Sequence, residues 1–249
     1  MKFDRVIAVR NNKTVYRDGD RCVKVFVSDY AKADILHEAL NQARVEETGL
    51  MIPKILEVTV TEGKWAIVSE YIRGKTLARL MEEDKARMEE YLTILAAVHA
   101  EIHTKSGVLL GTLEDELNRG IAASELNATA RFALHDRLKG MPRENKICHG
   151  DMNPTNIILD GEGVPHILDW SHATQGNPAA DAARTWLYFR KCGDADSARR
   201  YLELYCKKSG ADKKSILEWI PIVAAAQLAK SSKKDQNVLL ALVNSGDYE

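Results

Sequence analysis

Three oxygen-bearing side chains in the middle of the chain are spaced so that one hairpin could bring them together. Asp151 lies five residues before Asn156. Asn156 begins a short apolar run, and Asp169 ends the next such run. Carboxylate and amide oxygens are, with phosphate oxygens and water, the ligands that Mg²⁺ prefers in proteins. These residue types in this order therefore predict a site for a hard cation such as Mg²⁺.

The elements that must position these side chains form a predicted β-hairpin of residues 156–160 and 165–169 around a Gly-Glu-Gly turn. In an antiparallel pair, the numbers of opposed residues add up to a constant, here about 324 for a turn centred near residue 162. That register sets Asn156 opposite Leu168. We therefore expect Asn156 and Asp169 close together at the open end of the hairpin, with the loop of the first carboxylate beside them.

The first quarter of the chain has the apolar alternation of β-strands, interrupted by one helical stretch. Strands are predicted over residues 5–10, 14–17, 21–27, 54–60 and 65–71, and a helix over residues 30–47. The pairs Asn11–Asn12 and Asp18–Gly19 tolerate the positive φ angles that hairpin turns require. These elements predict one compact α+β unit.

After Gly74, apolar residues recur mostly with the period of an α-helix. Helices are predicted over residues 77–81, 87–103, 114–123, 127–138, 179–190, 195–208, 213–229 and 234–243. The chain is therefore predicted to be an α+β protein with a small β-rich lobe and a larger, mainly helical lobe that holds the hairpin. A short link near residues 70–74 joins the two.

The composition is that of a globular protein. The 249 residues are 45% hydrophobic and 29% charged, which excludes a wholly disordered chain. A net charge of −1 shows no basic nucleic-acid-binding footprint. No apolar run is long enough for a membrane span, no signal segment follows the first residue, and the four cysteines have no C-x-x-C pairing. We expect a soluble, cytoplasmic protein without nucleic-acid or membrane partners; its oligomeric state is not predicted.

The sequence around Asp151 resembles the catalytic loop of the protein-kinase-like superfamily, in which an Asn follows the Asp after five residues, here Asn156. The Ile-Leu-Asp-Trp segment that contains Asp169 is similar to the metal-binding element of that superfamily. The His-Gly-Asp form, Asp-Trp in place of Asp-Phe-Gly, and the later Asp181 and Arg184 are more similar to the aminoglycoside phosphotransferase and choline kinase family than to protein kinases. The resemblance covers nearly the whole chain and implies a protein-kinase-like two-lobe fold.

Carried over residue by residue, the resemblance implies a role for each of these side chains. Asp151 accepts or orients the proton of a substrate hydroxyl, and Asn156 and Asp169 hold the Mg²⁺ that bridges the phosphates of ATP. His149 braces the loop, and Asp181 ties the loop down from the start of a helix. ATP and Mg²⁺ are the implied cofactors, and the implied reaction transfers the γ-phosphoryl group to a hydroxyl of a small amine- or sugar-bearing acceptor.

The small lobe gains an implied role from the same resemblance. Lys24, within a Val-Lys-Val-Phe strand, resembles the lysine that grips the α- and β-phosphates. Glu38 is the helical carboxylate best placed to orient that lysine, with Glu46 and Glu47 as alternatives near the helix end.

The segment from Glu70 to Ile72 resembles the hinge that reads adenine through backbone groups, which makes both residues candidates for nucleotide contact. Residues 1–72 are accordingly predicted to be the nucleotide-binding lobe. Residues 73–249 are predicted to be the catalytic and acceptor-binding lobe.

One departure from the family pattern lies in residues 10–16, which should cover the phosphates but contain no glycine. The departure supports an alternative interpretation, a nucleotide-binding pseudokinase or regulator of the same fold without turnover. The acceptor also stays open among an aminoglycoside, a choline-like amino alcohol, a sugar and a ketoamine. Residues 176–249 hold 12 Lys and Arg against 9 Asp and Glu, which argues mildly against a polycationic antibiotic.

A second candidate phosphate-binding loop ends in Gly74, Lys75 and Thr76. Ser69 stands where the motif has its first glycine, and bulky residues fill the interior of the loop. A phosphate cradle needs small residues and free backbone N–H groups, so we do not assign one here.

Two side-chain groups in the helical part have a structural explanation that we prefer. His99 and His103 lie one helical turn apart but lack the Glu of a zinc-protease motif, so we expect His99 to pack against the catalytic loop. An aromatic group is interpreted as core rather than as a cage for a quaternary ammonium ion. Its members are Trp186, Tyr188, Phe189, Tyr201, Tyr205 and Trp219.

Overall fold

A computed structural model describes residues 3–244 of the chain. The chain forms two compact units. The first contains the described residues up to Leu80 together with Thr155–Ala173, and the second contains Met81–Pro154 and the described residues from Thr174 onward. The predicted lobes, residues 1–72 and 73–249, stay a prediction about function; the hairpin region belongs to the first compact unit.

The structure confirms the predicted α+β class. The strands are β1 (Arg5–Val9), β2 (Lys13–Asp18), β3 (Arg21–Phe26), β4 (Ile55–Thr61), β5 (Lys64–Glu70), β6 (Gly74–Thr76), β7 (Gly111–Thr112), β8 (Lys146–Cys148), β9 (Ile157–Asp160), β10 (Pro165–Ile167) and β11 (Thr174–Gly176). The α-helices are α1 (Lys32–Glu46), α2 (Leu77–Glu83), α3 (Met88–Ile102), α4 (Leu113–Ala123), α5 (Ala128–Gly140), α6 (Pro178–Lys191), α7 (Ala195–Ser209), α8 (Lys213–Leu217), α9 (Ile220–Gln227) and α10 (Lys233–Asn244).

The first unit is built on a five-stranded antiparallel sheet in the order β1-β2-β3-β5-β4. Side chains alternate between the two faces of a strand. Phe26 and Ile67 lie on the face against which Ile35 of α1 packs, whereas Val23 and Val68 form a second apolar cluster. Helix α1 is therefore fixed over one face of the sheet by burial of its apolar side.

A second sheet of the first unit, in the order β10-β9-β6, contains the predicted hairpin. Pro165 lies opposite Leu159 and Ile167 opposite Ile157, so the paired residue numbers add up to the predicted constant. Beyond the strand ends, the Leu168 N–H donates to the Asn156 carbonyl at 2.8 Å. The predicted register is confirmed.

Strand β6 is the segment that approaches a phosphate-binding motif. A Cβ atom on Gly74 would lie 2.1 Å from the carbonyl oxygen of Leu159, so only glycine permits this approach of β6 to β9. Lys75 lies opposite Leu159 and Thr76 opposite Ile158. Gly74, Lys75 and Thr76 therefore form a sheet strand and not the loop of convergent N–H groups that a phosphate cradle needs.

The second unit is mainly helical. Helix α6 is buried along almost its whole length, and it packs against α7, α8 and α9, while α3 packs against α7 and α4 against α9. The short strands β7, β11 and β8 form a three-stranded sheet. They were not predicted, because two or three residues carry no measurable alternation. No helix of residues 3–244 has the length and apolar character needed to cross a membrane.

The prediction of one helix over residues 213–229 is wrong. Helix α8 ends at Leu217 and α9 begins at Ile220, with Pro221 in its first turn. Proline lacks the N–H that a continuing helix would use and clashes with the preceding turn, but it is well tolerated where a helix begins. The apolar periodicity therefore continues across a break in the helix.

Candidate active site

Strand β3 and helix α1 bring the predicted lysine and its predicted partner together. Lys24 lies opposite Ile67, on the sheet face that α1 covers. Its Nζ forms an ion pair with Oε1 of Glu38, which is buried on α1. The alternative partner Glu46 instead accepts a hydrogen bond from the N–H of Ile55 at 2.7 Å.

The hairpin brings a second carboxylate to the same lysine. Asp169 directly follows the paired Leu168 and has a left-handed backbone with φ 60°, a conformation that Asp tolerates better than most residues. The Asp169 Oδ1 atom lies 3.5 Å from Nζ of Lys24. The chain then enters a 3₁₀ turn whose Trp170 is fully buried and which contacts α1.

A second lysine completes the group. Lys13, the first residue of β2, has its Nζ 3.5 Å from Asp169 Oδ2 and 3.7 Å from Glu38 Oε2. We name Lys13, Lys24, Glu38 and Asp169 the lysine–carboxylate cluster. Sequence reasoning missed Lys13, although the hairpin register contained the signal. Lys24 lies opposite Val15, so a residue two positions before Val15 shares its face.

The two lysines of this cluster differ in their electrostatics. Burial disfavours the charge of Lys24, but the Asp169 and Glu38 carboxylates outweigh this effect and raise its pKa. Burial and the neighbouring charge of Lys24 lower the pKa of Lys13, although Asp169 and Glu38 act in the opposite direction. Lys24 is thus the more firmly charged of the two.

The predicted metal ligands lie at the same end of the hairpin. The Asn156 side chain is buried directly before β9, while the Asp169 side chain is 32% exposed and can meet an incoming ion. Both offer hard oxygen atoms, and neither sulfur nor imidazole ligands are among the predicted set. These residues fit Mg²⁺, which takes oxygen ligands and retains water molecules.

The predicted hinge follows β5. Glu70 is held by Lys54, whose carbonyl accepts from the Glu70 N–H and whose N–H donates to the Glu70 carboxylate, each at 3.0 Å. The Tyr71 N–H donates to the Asp20 carbonyl at 2.9 Å. Among the described residues, no hydrogen bond uses the N–H of Ile72. Adenine contact by Glu70 and Ile72 stays a prediction.

In the second unit, a loop after β8 carries Asp151. Asp181 in the first turn of α6 holds this loop: its Oδ2 accepts from the His149 N–H at 2.6 Å and its Oδ1 from the Gly150 N–H at 2.9 Å. The Asp151 N–H lies 3.3 Å from Nδ1 of His149. Gly150 has φ 83°, which favours glycine at this bend.

Two histidines and two tyrosines of the second unit surround Asp181. The Nε2 atoms of His99 and His103 lie 3.1 and 3.3 Å from Asp181 Oδ2. Their Nδ1 atoms each lie 2.7 Å from a hydroxyl oxygen, that of Tyr201 for His99 and that of Tyr205 for His103. We name these five residues the Asp181 network.

Burial and hydrogen bonding set the charges of the Asp181 network. Burial opposes ionisation of Asp181, but hydrogen bonds from His103 and His99 hold its pKa well below the usual value. Burial, with the nearby His103, lowers the pKa of His99 to about 4. A neutral His99 therefore donates from Nε2 to the carboxylate and accepts at Nδ1 from the Tyr201 hydroxyl. The nitrogen and oxygen atoms that could ligate a cation here are already satisfied by one another.

Further contacts in the second unit fix the loop, and the sequence did not predict them. The Arg184 guanidinium donates to the Gly150 carbonyl at 3.3 Å and to Glu116 at 2.8 Å. The hydroxyl of Thr185 donates to the Met152 carbonyl at 2.7 Å. The aromatic group is core as predicted: apart from Tyr188, its members are buried.

The sequence matches the phosphotransferase enzyme family, APH, over residues 5–219. The uncharacterized protein YcbJ of Bacillus subtilis (strain 168) is 24% identical over 178 residues, which are 62% of this chain and 57% of that protein. The probable serine/threonine-protein kinase MRK1 homolog of Encephalitozoon cuniculi (strain GB-M1) is 24% identical over 162 residues, 55% of this chain and 50% of that protein. The chain thus spans about half the length of these curated relatives.

Solved structures show the fold. A thermostable mutant of aminoglycoside phosphotransferase APH(4)-Ia, in ternary complex with ADP and hygromycin B, matches with a TM-score of 0.70 and 16% identity, covering 98% of this chain and 94% of that chain. Choline kinase LicA from Streptococcus pneumoniae matches with a TM-score of 0.65 and 16% identity, covering 98% and 92%. The fold is therefore the protein-kinase-like fold of these enzymes, and the chain belongs to the phosphotransferase enzyme family.

Proposed function

We propose that this protein is a Mg²⁺-dependent small-molecule kinase that transfers the γ-phosphoryl group of ATP to a hydroxyl of a small acceptor. The observation that carries the proposal is the contact of Lys24 with both Glu38 and Asp169. A lysine held by a helical carboxylate and facing a metal-binding Asp is the arrangement that phosphoryl transfer by kinases requires. Family membership and the intact Asp151 support the same function.

The first unit binds the nucleotide. Lys24 contacts the α- and β-phosphates, and Glu38 keeps its ammonium group directed toward them. Backbone groups of Glu70 and Ile72 read the adenine ring. Nucleotide binding is in keeping with the ADP found with APH(4)-Ia and the AMP found with LicA, two proteins of the same fold.

Asn156 and Asp169 hold Mg²⁺ at the open end of the hairpin. Bound Mg²⁺ supplies positive charge that neutralises the charge developing on the transferred phosphoryl group. The protein's own contribution is orientation. The hairpin register holds Asn156 and Asp169 at one end of the hairpin, and Asp169 lies beside Lys24, so that little reorganisation is needed when the nucleotide arrives.

Asp151 accepts the proton of the acceptor hydroxyl as it attacks the γ-phosphorus. Its loop is anchored through Asp181, which is itself locked by the buried histidines. Precise placement matters because phosphoryl transfer offers little covalent work to the protein, and most of its rate enhancement comes from positioning and electrostatics. The acceptor is an amino alcohol, a sugar, a ketoamine or an aminoglycoside.

The nucleotide site is tested by thermal unfolding with ATP, in Mg²⁺ and in EDTA. ATP at about 100 times its Kd adds about 2.7 kcal/mol of stability, which raises the melting temperature by roughly 5–10 °C at this size. We expect the rise to need Mg²⁺ and to be lost in Asp169→Asn. Asp160→Asn, in the same hairpin, is the matched control and should retain it. No rise in the wild type in any condition contradicts the proposal.

Turnover is tested by ADP release with a panel of one aminoglycoside, choline, a hexose and a ketoamine. Asp151→Asn should keep the ATP-dependent thermal shift but lower turnover by at least ~10². Undiminished turnover removes Asp151 from the mechanism. Nucleotide binding without ADP release for any acceptor favours the pseudokinase alternative.

A further inference from the structure

The lysine–carboxylate cluster contains one lysine more than the family resemblance implies. A lysine beside a surface hairpin turn normally extends its ammonium group into water. The Lys13 side chain is instead only 13% exposed, and its Nζ lies within 3.7 Å of both carboxylates of the cluster. The position of this ammonium group is therefore a feature of the fold that needs an explanation.

The sheet holds Lys13 in this place. Lys13 lies opposite Phe26, and Val15, two positions later, lies opposite Lys24. All four residues share the face covered by α1, because side chains alternate along a strand. The Nζ of Lys13 lies over the Phe26 ring, 6.0 Å from its centroid. The register of one hairpin thus delivers two ammonium groups to one point.

The hairpin that carries Lys13 has no glycine from Arg5 to Asp18. In kinases a glycine-rich loop covers the phosphates, because its backbone N–H groups can come close without interfering side chains. In the turn, the Arg10 N–H donates to the Lys13 carbonyl at 2.9 Å, and the Asn12 carbonyl accepts from the N–H of Val27, which follows β3, at 3.0 Å. The Lys13 ammonium group is a hydrogen-bond donor that can take the place of such backbone N–H groups.

The charges of the cluster lead to the same conclusion. Two lysines and two carboxylates cancel in the structure. Once the Asp169 oxygens serve a divalent cation, the cluster has a formal charge of about +2, against about +1 if Lys13 were absent. This surplus matches a ligand with several negative charges, and the loosely held 3.5–3.7 Å contacts of Lys13 can be exchanged for phosphate oxygens.

We propose that Lys13 is a second phosphate-binding residue, whose ammonium group contacts the terminal phosphates of a bound nucleoside triphosphate in place of a glycine-rich loop. This inference rests on the proposed function and names a contact that the proposed function does not include. The inference requires that the contribution of Lys13 to nucleotide affinity increase with the number of phosphates on the nucleotide.

The test is calorimetric titration of Lys13→Met with AMP, ADP and a non-hydrolysable ATP analogue in Mg²⁺. We expect the Kd for the ATP analogue to rise about 10- to 100-fold, since a charge-assisted hydrogen bond is lost. The Kd for ADP should rise less, and that for AMP less than about twofold. Lys13→Arg should retain most of the affinity. Lys64→Met is the matched control, because Lys64 also begins a strand of this sheet but is exposed.

The outcomes separate the inference from the proposed function. If the wild type does not prefer the ATP analogue to AMP, both fail together. If the wild type prefers the ATP analogue, but Lys13→Met raises the Kd for all three nucleotides equally or for none of them, Lys13 has only a structural role. Lys13→Gln repeats the titration if Lys13→Met does not fold, as judged by circular dichroism without ligand.

Discussion

Two groups of charged residues in this protein are built in opposite ways. The lysine–carboxylate cluster of the first unit is partly open, with Asp169 32% and Lys24 18% exposed, and its contacts to Asp169 are 3.5 Å long. The Asp181 network of the second unit is sealed, with the side chains of Asp181 and His99 fully buried. Both place opposite charges or strong dipoles together, but only the first can exchange its partners for a ligand.

This difference in burial distinguishes a ligand-binding site from a group with a structural role. A buried carboxylate that loses its donors pays the full cost of desolvation, so the Asp181 network must stay intact in every state of the protein. Ion pairs that solvent can reach contribute less to stability than sealed ones, and their contacts can be replaced by phosphate or metal contacts. We therefore expect changes in the Asp181 network to affect stability most, and changes in the lysine–carboxylate cluster to affect activity most.

The largest expected effect on stability comes from Asp181→Asn. The substitution keeps the size of the side chain but removes a charge that accepts bonds from His149, Gly150 and the two buried histidines. We expect a loss of about 3–5 kcal/mol in the free energy of unfolding, measured in urea at neutral pH. Asp196→Asn, in the first turn of α7 and exposed, is the control and should change it by less than about 0.5 kcal/mol.

Lys24→Met is expected to lower activity strongly and stability less. Removing a group that stabilises the developing charge should lower kcat/KM by about 10²- to 10³-fold. The free energy of unfolding should fall by less than in Asp181→Asn, because Lys13 still contacts both carboxylates. Lys75→Met should have little effect on activity, since Lys75 lies in β6. If Lys75→Met is the more damaging of the two, our assignment of the phosphate-binding lysine is wrong.

The pH dependence of stability distinguishes the two groups further. Because the pKa of His99 falls from 6.5 to about 4 on folding, the unfolded chain binds more protons between these values. The free energy of unfolding should therefore decrease as pH falls through this window, by at most about 3 kcal/mol, and be constant just above it. Asp181, with its pKa below the usual value, loses its contribution only at still lower pH.

His99→Gln should flatten this dependence, measured by urea unfolding at several pH values. His172→Gln, an exposed histidine of the first unit, should leave it unchanged. An equally steep decrease in His99→Gln means that other groups cause it.

The smallest effects are expected from the two tyrosines of the Asp181 network. Tyr201→Phe removes the hydroxyl that donates to Nδ1 of His99, and Tyr205→Phe removes the hydroxyl 2.7 Å from Nδ1 of His103. Each substitution should lower the free energy of unfolding by about 1–2 kcal/mol, because it leaves a buried nitrogen without its hydrogen-bond partner. Equal stability of both variants and the wild type means that the hydroxyls are not needed.

Much of the fold follows from local patterns. Strands of five or more residues and helices of ten or more repeat their apolar period often enough to be recognised, and their ends agree with the structure within about two residues. The two-residue and three-residue strands β7, β8 and β11 show no such repeat. The helix break before Pro221 was missed because the residues on both sides are apolar.

The candidate site was predictable to the extent that it lies on one hairpin. Asn156 and Asp169 follow from antiparallel register, which is simple arithmetic once the turn is located. Lys24 and Glu38 were predicted as site residues from the family resemblance, and in the structure they form an ion pair. Their roles, and those of Asp151, Glu70 and Ile72, stay predictions.

The sequence by itself determined the class of fold, the order of the elements and the two acidic motifs, because these depend on periodicity and on residues close together in the chain. Only the tertiary structure decided that His99 and His103 close around Asp181 with Tyr201 and Tyr205. Such contacts join residues up to about a hundred positions apart, and local propensity carries no information about them. They form because a buried charge is tolerated only where distant elements pack to supply its partners.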